Sequence, residues 1–368
     1  MKRMIVATML LLGACSSPPD RAAPAATPTP TPTPSASAST PRADASIVDD
    51  RAVPAPGAQK TFRDWTVACD NVRRCAMTSL GTESDFPRVT MRVTRGAGPA
   101  GVVEIALDAP QGDIPAPATV LIDDRRFAVA GNGLSGDAAA AIARALANAR
   151  SIAVLGAGNA RIGTISPAGA SAALRYIDAQ QGRAGNVTAL VARGEGAAAT
   201  VPPAPPLPRI HAVAFAGTPA PITPALLRSM MRTGQCDTPM AGQTPRAHAL
   251  ADGATLVLLP CSSGAYNEID ALFVIRDGKA QPAQVDAPSG FEETGADSRT
   301  PVHSVINGDV EGGVLHSFAK GRGLGDCGVM QDFVWDGARL RLAEQRAMGE
   351  CRGNPDYLTV WRARIERG

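Results

Sequence analysis

At 368 residues, 45% hydrophobic but only 4% aromatic, the chain is long enough for two ordinary domains, although its apolar count draws heavily on Ala. The formal net charge of +2 falls to zero when Lys2 and Arg3 are set aside, leaving 34 basic against 34 acidic residues. That balance argues against a nucleic-acid partner, which needs clustered Lys and Arg, and against adsorption to anionic membranes by charge alone.

In chain order, Met1-Lys2-Arg3 is a short positive segment and Met4 to Leu12 an apolar run, too short to span a bilayer and suited to a signal peptide. Leu12-Gly13-Ala14-Cys15 follows and resembles the lipobox of bacterial lipoproteins, which implies a signal peptide over 1–15 and lipidation of Cys15. The membrane is then a partner through an N-terminal lipid anchor. Ser16 follows the Cys, with no Asp there to act as an inner-membrane retention signal, so the expected location is the envelope, on the outer membrane facing the periplasm.

Residues 16–58 are rich in Pro, Ala, Thr and Ser and cannot bury enough apolar surface to offset their ordering entropy, so they read as a disordered tether. About 40 such residues reach ~130 Å as polyproline II or ~35 Å as random coil.

From 59 to 195 the sequence predicts a β-rich domain with two helices. Phe62 to Ala68, Cys75 to Leu80, Arg88 to Thr94, Val102 to Leu107, Thr119 to Ile122 and Arg125 to Ala130 are β-branched or alternating, with Asp123-Asp124 as a tight turn. Gly136 to Arg150 reads as an Ala-rich helix, and Ser166-Pro167 as the cap and first turn of a second helix ending near Gln181. Residues 196–206 are Pro-rich and form a linker.

From 207 to 368 a mainly β domain is expected. Ile222 to Arg232 reads as a short helix with Thr223 as its cap and Pro224 at its first position, and strands follow at Ala254 to Pro260, Ile269 to Arg276, Lys279 to Val285, Val302 to Ile306, Val314 to Ala319, Met330 to Trp335, Arg339 to Gln345 and Leu358 to Ile365. Arg276-Asp277-Gly278-Lys279 and Trp335-Asp336-Gly337-Ala338 carry the Asp-Gly hairpin signature. The fold class is therefore α+β, mostly antiparallel β: two small sandwich-like or open-barrel-like domains with a few helices. Trp65, Trp335, Trp361, Phe62, Phe273, Phe318 and Phe333 are the expected core centres.

With Cys15 lipidated, six cysteines remain, an even number that points to disulfides in an exported chain. Fifteen pairings are open in principle; sequence order and the linker near residue 200 favour Cys69 with Cys75, Cys236 with Cys261 and Cys327 with Cys351. The two longer loops gain about 3.5 kcal/mol each by chain-entropy reasoning. A metal site would need Cys or His at ligand spacing, and none occurs; no cofactor is implied.

Gly321 to Gly328 is the most tempting candidate ligand loop, with backbone amides able to face an anion and Lys320, Arg322 and Asp326 supplying charge. A phosphate-binding loop, however, needs a helix after it, and a strand follows here, so a tight turn held by the Cys327 disulfide is favoured. No Gly-x-Ser-x-Gly is present. His303 and His316 could each serve as a base, but nothing local pairs them with a carboxylate, and Glu292-Glu293, Asp123-Asp124, Ser262-Ser263-Gly264 and Ser289-Gly290 read as turns. Asn186-Val187-Thr188 matches a glycosylation sequon expected to be inert.

Several stretches together resemble a known family. They are Phe62 to Asn71 running on to Cys75, Gly169 to Arg183, Gly321 to Gly328, Trp335-Asp336-Gly337 and Cys351-Arg352-Gly353. In that order they resemble the exported bacterial proteins grouped as domain of unknown function 1176, and the first domain is similar to the invasion-associated locus B family through its Asp-Trp and Cys pair. The resemblance implies a periplasmic or envelope protein and brings no established activity. The expectation is a non-enzymatic binding or interaction module with a protein or cell-wall partner. The alternative is a hydrolase of cell-wall or exported ester substrates whose residues assemble across strands.

Overall fold

The computed structural model describes residues 54–84, 86–109, 116–131, 133–236, 244–286 and 303–367. The expected signal peptide, Cys15, the tether up to residue 53, Ser289-Gly290 and Glu292-Glu293 lie outside them. The described residues fall within one compact unit, Val48–Gly368.

The first half is built on an antiparallel sheet ordered β1 (Gln59–Phe62), β2 (Trp65–Cys69), β3 (Cys75–Ser79), β4 (Thr90–Arg95), β5 (Val103–Asp108) and β8 (Gly133–Ser135). The sequence predicts one strand from Phe62 to Ala68. Instead Phe62 pairs with Trp65 across a turn in which Arg63 takes φ 56°, so the run is a hairpin. A second sheet joins β10 (Arg161–Ile165), β9 (Ile152–Leu155), β6 (Thr119–Ile122) and β7 (Arg125–Ala128). The β6–β7 turn forms at Asp123-Asp124 as expected; Asp123 Oδ1 accepts hydrogen bonds from the Arg150 and Ser151 amides.

Helices α1 (Asp137–Leu146) and α2 (Ala170–Gln180) cover the first sheet. Trp65, Met77, Met91, Val93 and Ile105 pack there against Ile142, Leu146, Leu174 and Ile177, each contributing about 1.5–3 kcal/mol by burial. The Trp65 indole N–H donates to the Ser166 carbonyl at 2.8 Å, which satisfies its polar end. The expected cap at Ser166 is not where α2 begins. The Ser166 hydroxyl donates to Asp64 at 2.6 Å, and Gly169 in a left-handed conformation, φ 98°, starts the helix at Ala170.

In the linker stretch 196–206, Val201 is buried and Pro202 lies against Gly182. Strand β11 (Arg209–Ala212) follows and pairs in parallel with β22 (Arg364–Arg367). Helix α3 (Pro224–Thr233) starts as predicted, with the Thr223 hydroxyl accepting from the Leu226 amide. Two antiparallel sheets then face each other. One orders β12 (Arg246–Ala249), β13 (Thr255–Ser263), β14 (Glu268–Arg276) and β15 (Lys279–Pro282), with β16 (Ser304–Ile306) also on β14. The other orders β17 (Asp309–Glu311), β18 (Val314–Lys320), β19 (Gly328–Trp335), β20 (Leu340–Met348) and β21 (Leu358–Arg362).

Between the sheets, Leu256, Leu258 and Leu272 meet Leu315, Phe333, Trp335, Leu342 and Trp361. The alternate residues Val257, Leu259, Phe273 and Ile275 are buried on the other face under Leu226, Leu227 and Met230 of α3. Burial on both faces is why β13 reads as an unbroken apolar run rather than an alternating one. Of the expected core centres, Phe62 and Phe318 are only partly buried, each against a tyrosine, Tyr176 and Tyr357. All three expected disulfides are closed: Cys69–Cys75, Cys236–Cys261 and Cys327–Cys351.

Candidate functional site

A polar seam forms where β21 and the 349–357 loop meet β2 and β3. Arg352 donates to the Gly81 and Arg63 carbonyls at 2.9 and 2.7 Å and pairs with Asp64 at 2.7 Å. Its guanidinium, with the Ser166 hydroxyl second, holds the Asp64 carboxyl below the usual range. Asn354, fully buried, donates to the Thr78 hydroxyl and the Ser79 carbonyl. Arg362 bonds Asp70 at 2.7 Å, while its backbone exchanges hydrogen bonds with the Asn71 side chain.

Beside this seam lies a shallow cleft of about 100 Å³, lined by Asp70, Arg74, Arg92, Thr94, Tyr357 and Thr359. Strand β4 delivers Arg92 and Thr94 to it on alternate positions, and the turn closed by Cys69–Cys75 delivers Asp70 and Arg74. Arg92 pairs with Asp356 and Arg74 with Glu104. Burial lowers the Arg92 pKa, Asp108 opposes the shift, and the like charges of Arg74 and Arg346 add to it. Burial raises the Tyr357 phenol, with the Asp326 charge adding to the effect. The cleft can therefore offer guanidinium N–H groups and hydroxyls to a polar partner, yet its charges already have partners of their own.

The sequence-predicted loop sits at one end of the same seam. Asp326, fully buried, takes both forks of Arg322 at 2.7 and 2.5 Å and the Gly353 amide at 2.7 Å. That pairing with Arg322 is the main reason the Asp326 carboxyl lies below its ordinary range. Arg322 also donates to the Glu83 carbonyl, and the Gly321 amide to the Cys327 carbonyl. The Lys320 amide bonds Asn267, and its ammonium lies 5.7 Å from the centre of the Phe318 ring. Arg322 and Asp326 thus clamp each other, while Lys320 faces away into a separate contact.

Sequence reasoning missed one pairing. His316 Nδ1 lies 2.8 Å from Asp332 Oδ1, because the two residues face each other across the β18–β19 hairpin. Reading that hairpin's register around the 321–327 turn is the signal that finds it. Arg346 lies 3.7 Å from the same carboxylate. Among the described residues no hydroxyl bonds the imidazole, and the pair sits on a sheet face rather than in a closed pocket. Asn186 of the sequon is buried and bonds the Ala197 carbonyl and Thr200, which makes it a turn residue. Among the described residues no group of three or more His, Cys, Asp or Glu gathers as metal ligands, and no helix is long and apolar enough to cross a membrane.

The three closed disulfides point to oxidising, exported surroundings for this mostly antiparallel β protein, whose two halves meet at an arginine-rich seam. The family described as "Protein of unknown function (DUF1176)" matches residues 59–364, and the chain belongs to it. It is similar to the "Uncharacterized protein YpfG" of Escherichia coli (strain K12), 28% identical over 340 residues that cover 83% of this chain and 93% of that protein. No solved structure matches the chain.

Proposed function

We propose that the protein is an envelope lipoprotein, held by lipid on Cys15 to the outer membrane and facing the periplasm, whose folded part acts as a non-enzymatic binding module. The observation that carries the binding reading is the seam. A cleft of about 100 Å³ is well below the ~300–1,000 Å³ of pockets that enclose small substrates, and its arginines are paired with carboxylates. Such a surface suits a protein or cell-wall partner that covers it. Leu12-Gly13-Ala14-Cys15 and the three disulfides support the location. Asp64-Trp65 and the Cys69–Cys75 pair support kinship of the first half with the invasion-associated locus B family.

The His316–Asp332 pair favours a second reading, a hydrolase, with the imidazole as base. A photo-crosslinking residue placed at Arg74 or Thr359 separates the two readings in intact cells. The binding reading expects a discrete adduct from those positions and none from exposed Arg161; adducts equal at all three positions, or none at all, would contradict it.

A further inference from the structure

The cleft beside the seam holds more donors than the protein itself uses. Arg74 gives Nη2 to Glu104, and Arg92 gives Nε and Nη2 to Asp356. Among the described residues, Arg74 Nε and Nη1 and Arg92 Nη1 have no hydrogen-bond partner, and neither do the hydroxyls of Thr94 and Thr359. All four residues line the same cleft of about 100 Å³. The two arginines keep 38% and 34% of their side-chain surface in solvent, so a group entering from outside reaches these donors.

The carboxylate of the cleft is already occupied. Asp70 Oδ1 takes the amides of Val72 and Arg74, and Oδ2 takes Arg362. A group that fills the cleft must therefore bring acceptors. A planar guanidinium presents five N–H groups in a fork, so one edge can hold an internal carboxylate while another stays free. Charge narrows the choice. Glu104, Asp356 and Asp70 already offset Arg74, Arg92 and Arg362, and close to these carboxylates a dianionic phosphate is repelled more than a singly charged carboxylate. The far end of the seam narrows it again. Tyr266 and Leu324 are 41% and 61% exposed there, with the Tyr266 hydroxyl donating to the Gly321 carbonyl. A protein partner can bury such residues, whereas a polysaccharide has little apolar surface to set against Leu324.

Resting on the binding reading, we propose that the cleft seats one Asp or Glu side chain of a protein partner. Its carboxylate accepts from the free edges of Arg74 and Arg92 and from the Thr94 hydroxyl.

The test is fluorescence anisotropy of a labelled short peptide alternating Glu and Ser, added to the purified full-length chain, against the same peptide with Gln for Glu. Saturable binding of the Glu peptide alone is expected, weakened roughly tenfold by Arg74→Glu and severalfold by Thr94→Val. The Thr94 hydroxyl has no partner within the protein, so Thr94→Val should leave Tm unchanged, which separates a lost contact from a lost fold. Equal binding of the two peptides, no saturable binding, or an affinity that neither variant changes would overturn the proposal. So would tighter binding of an oligogalacturonate of equal charge, or displacement of the Glu peptide by inorganic phosphate at lower concentration than by acetate. In cells, a photo-crosslinking residue at Thr359 separates the two levels. An adduct that persists with Arg74→Glu refutes the acidic side chain and leaves the binding reading standing, while no adduct even with Arg74 in place refutes both.

Discussion

Replacing Asp326 by Ala tests whether the glycine-rich loop is a clamp or a ligand site. Its carboxylate is fully buried and accepts three hydrogen bonds, two from Arg322 and one from the Gly353 amide. Removing one partner of a buried ion pair costs about 3–5 kcal/mol, and orphaning a buried amide about 1–3 kcal/mol. Arg322 retains 26% exposure and recovers some hydration, so the expected loss is about 4 kcal/mol. Because the Gly353 amide belongs to the loop that grips β3, the damage should reach the seam. Urea unfolding followed by fluorescence of Trp65, Trp335 and Trp361 at pH 7 measures it. The double variant Asp326→Ala/Arg322→Ala should be less destabilised than the two single losses added together. A loss below about 1 kcal/mol for Asp326→Ala, or strict additivity, would refute the clamp and return the loop to the ligand sites.

Three further outcomes are expected. Burial pushes the Asp270 carboxyl from 3.8 up to about 6 despite the Arg246 guanidinium 2.7 Å away, with Glu268 beside the same cation. The folded state then holds the proton more tightly than the unfolded chain, so this contribution is fully present below pH ~4 and lost as pH rises through ~6, about 3 kcal/mol in all. The stability difference between the natural protein and Asp270→Asn should change by roughly that amount between pH 4 and 7; a difference constant with pH contradicts it. Gly169→Ala should destabilise by at least ~2 kcal/mol in urea titration, since φ is 98° and a Cβ would overlap the Phe62 carbonyl oxygen; a loss under ~1 kcal/mol contradicts it. Arg352→Ala should cost about 3 kcal/mol and expose the seam to hydrogen exchange at Gly81 and Leu80, because it removes three hydrogen bonds between the halves; unchanged exchange there contradicts it.

What local chemistry dictates is legible in the sequence. Asp277-Gly278 supplies the two positive φ values, 51° and 71°, that the β14–β15 hairpin requires, and Thr223-Pro224 starts α3 where caps and prolines belong. Ser166-Pro167 carries the same kind of signal, yet its hydroxyl is claimed by Asp64, which lies 102 residues earlier in the chain. A tertiary bond decided what the local pattern could not. The charged loop read correctly as a turn, but its acceptor for Arg322 was not evident, because an anion-binding and an anion-excluding loop share the same glycines. Arg95 and Arg183 gave no signal at all: arginine ordinarily lies at the surface, and only the packing of α2 and the 185–192 loop over β4 encloses them.

Mass spectrometry of the N-terminal peptide from cell envelopes, without reduction, addresses the proposed function most directly. The expected spectrum starts at Cys15 carrying fatty acyl groups, and the same sample yields Cys69–Cys75, Cys236–Cys261 and Cys327–Cys351 as linked peptides. A peptide that retains Met1, or an unmodified Cys15 thiol, would contradict it.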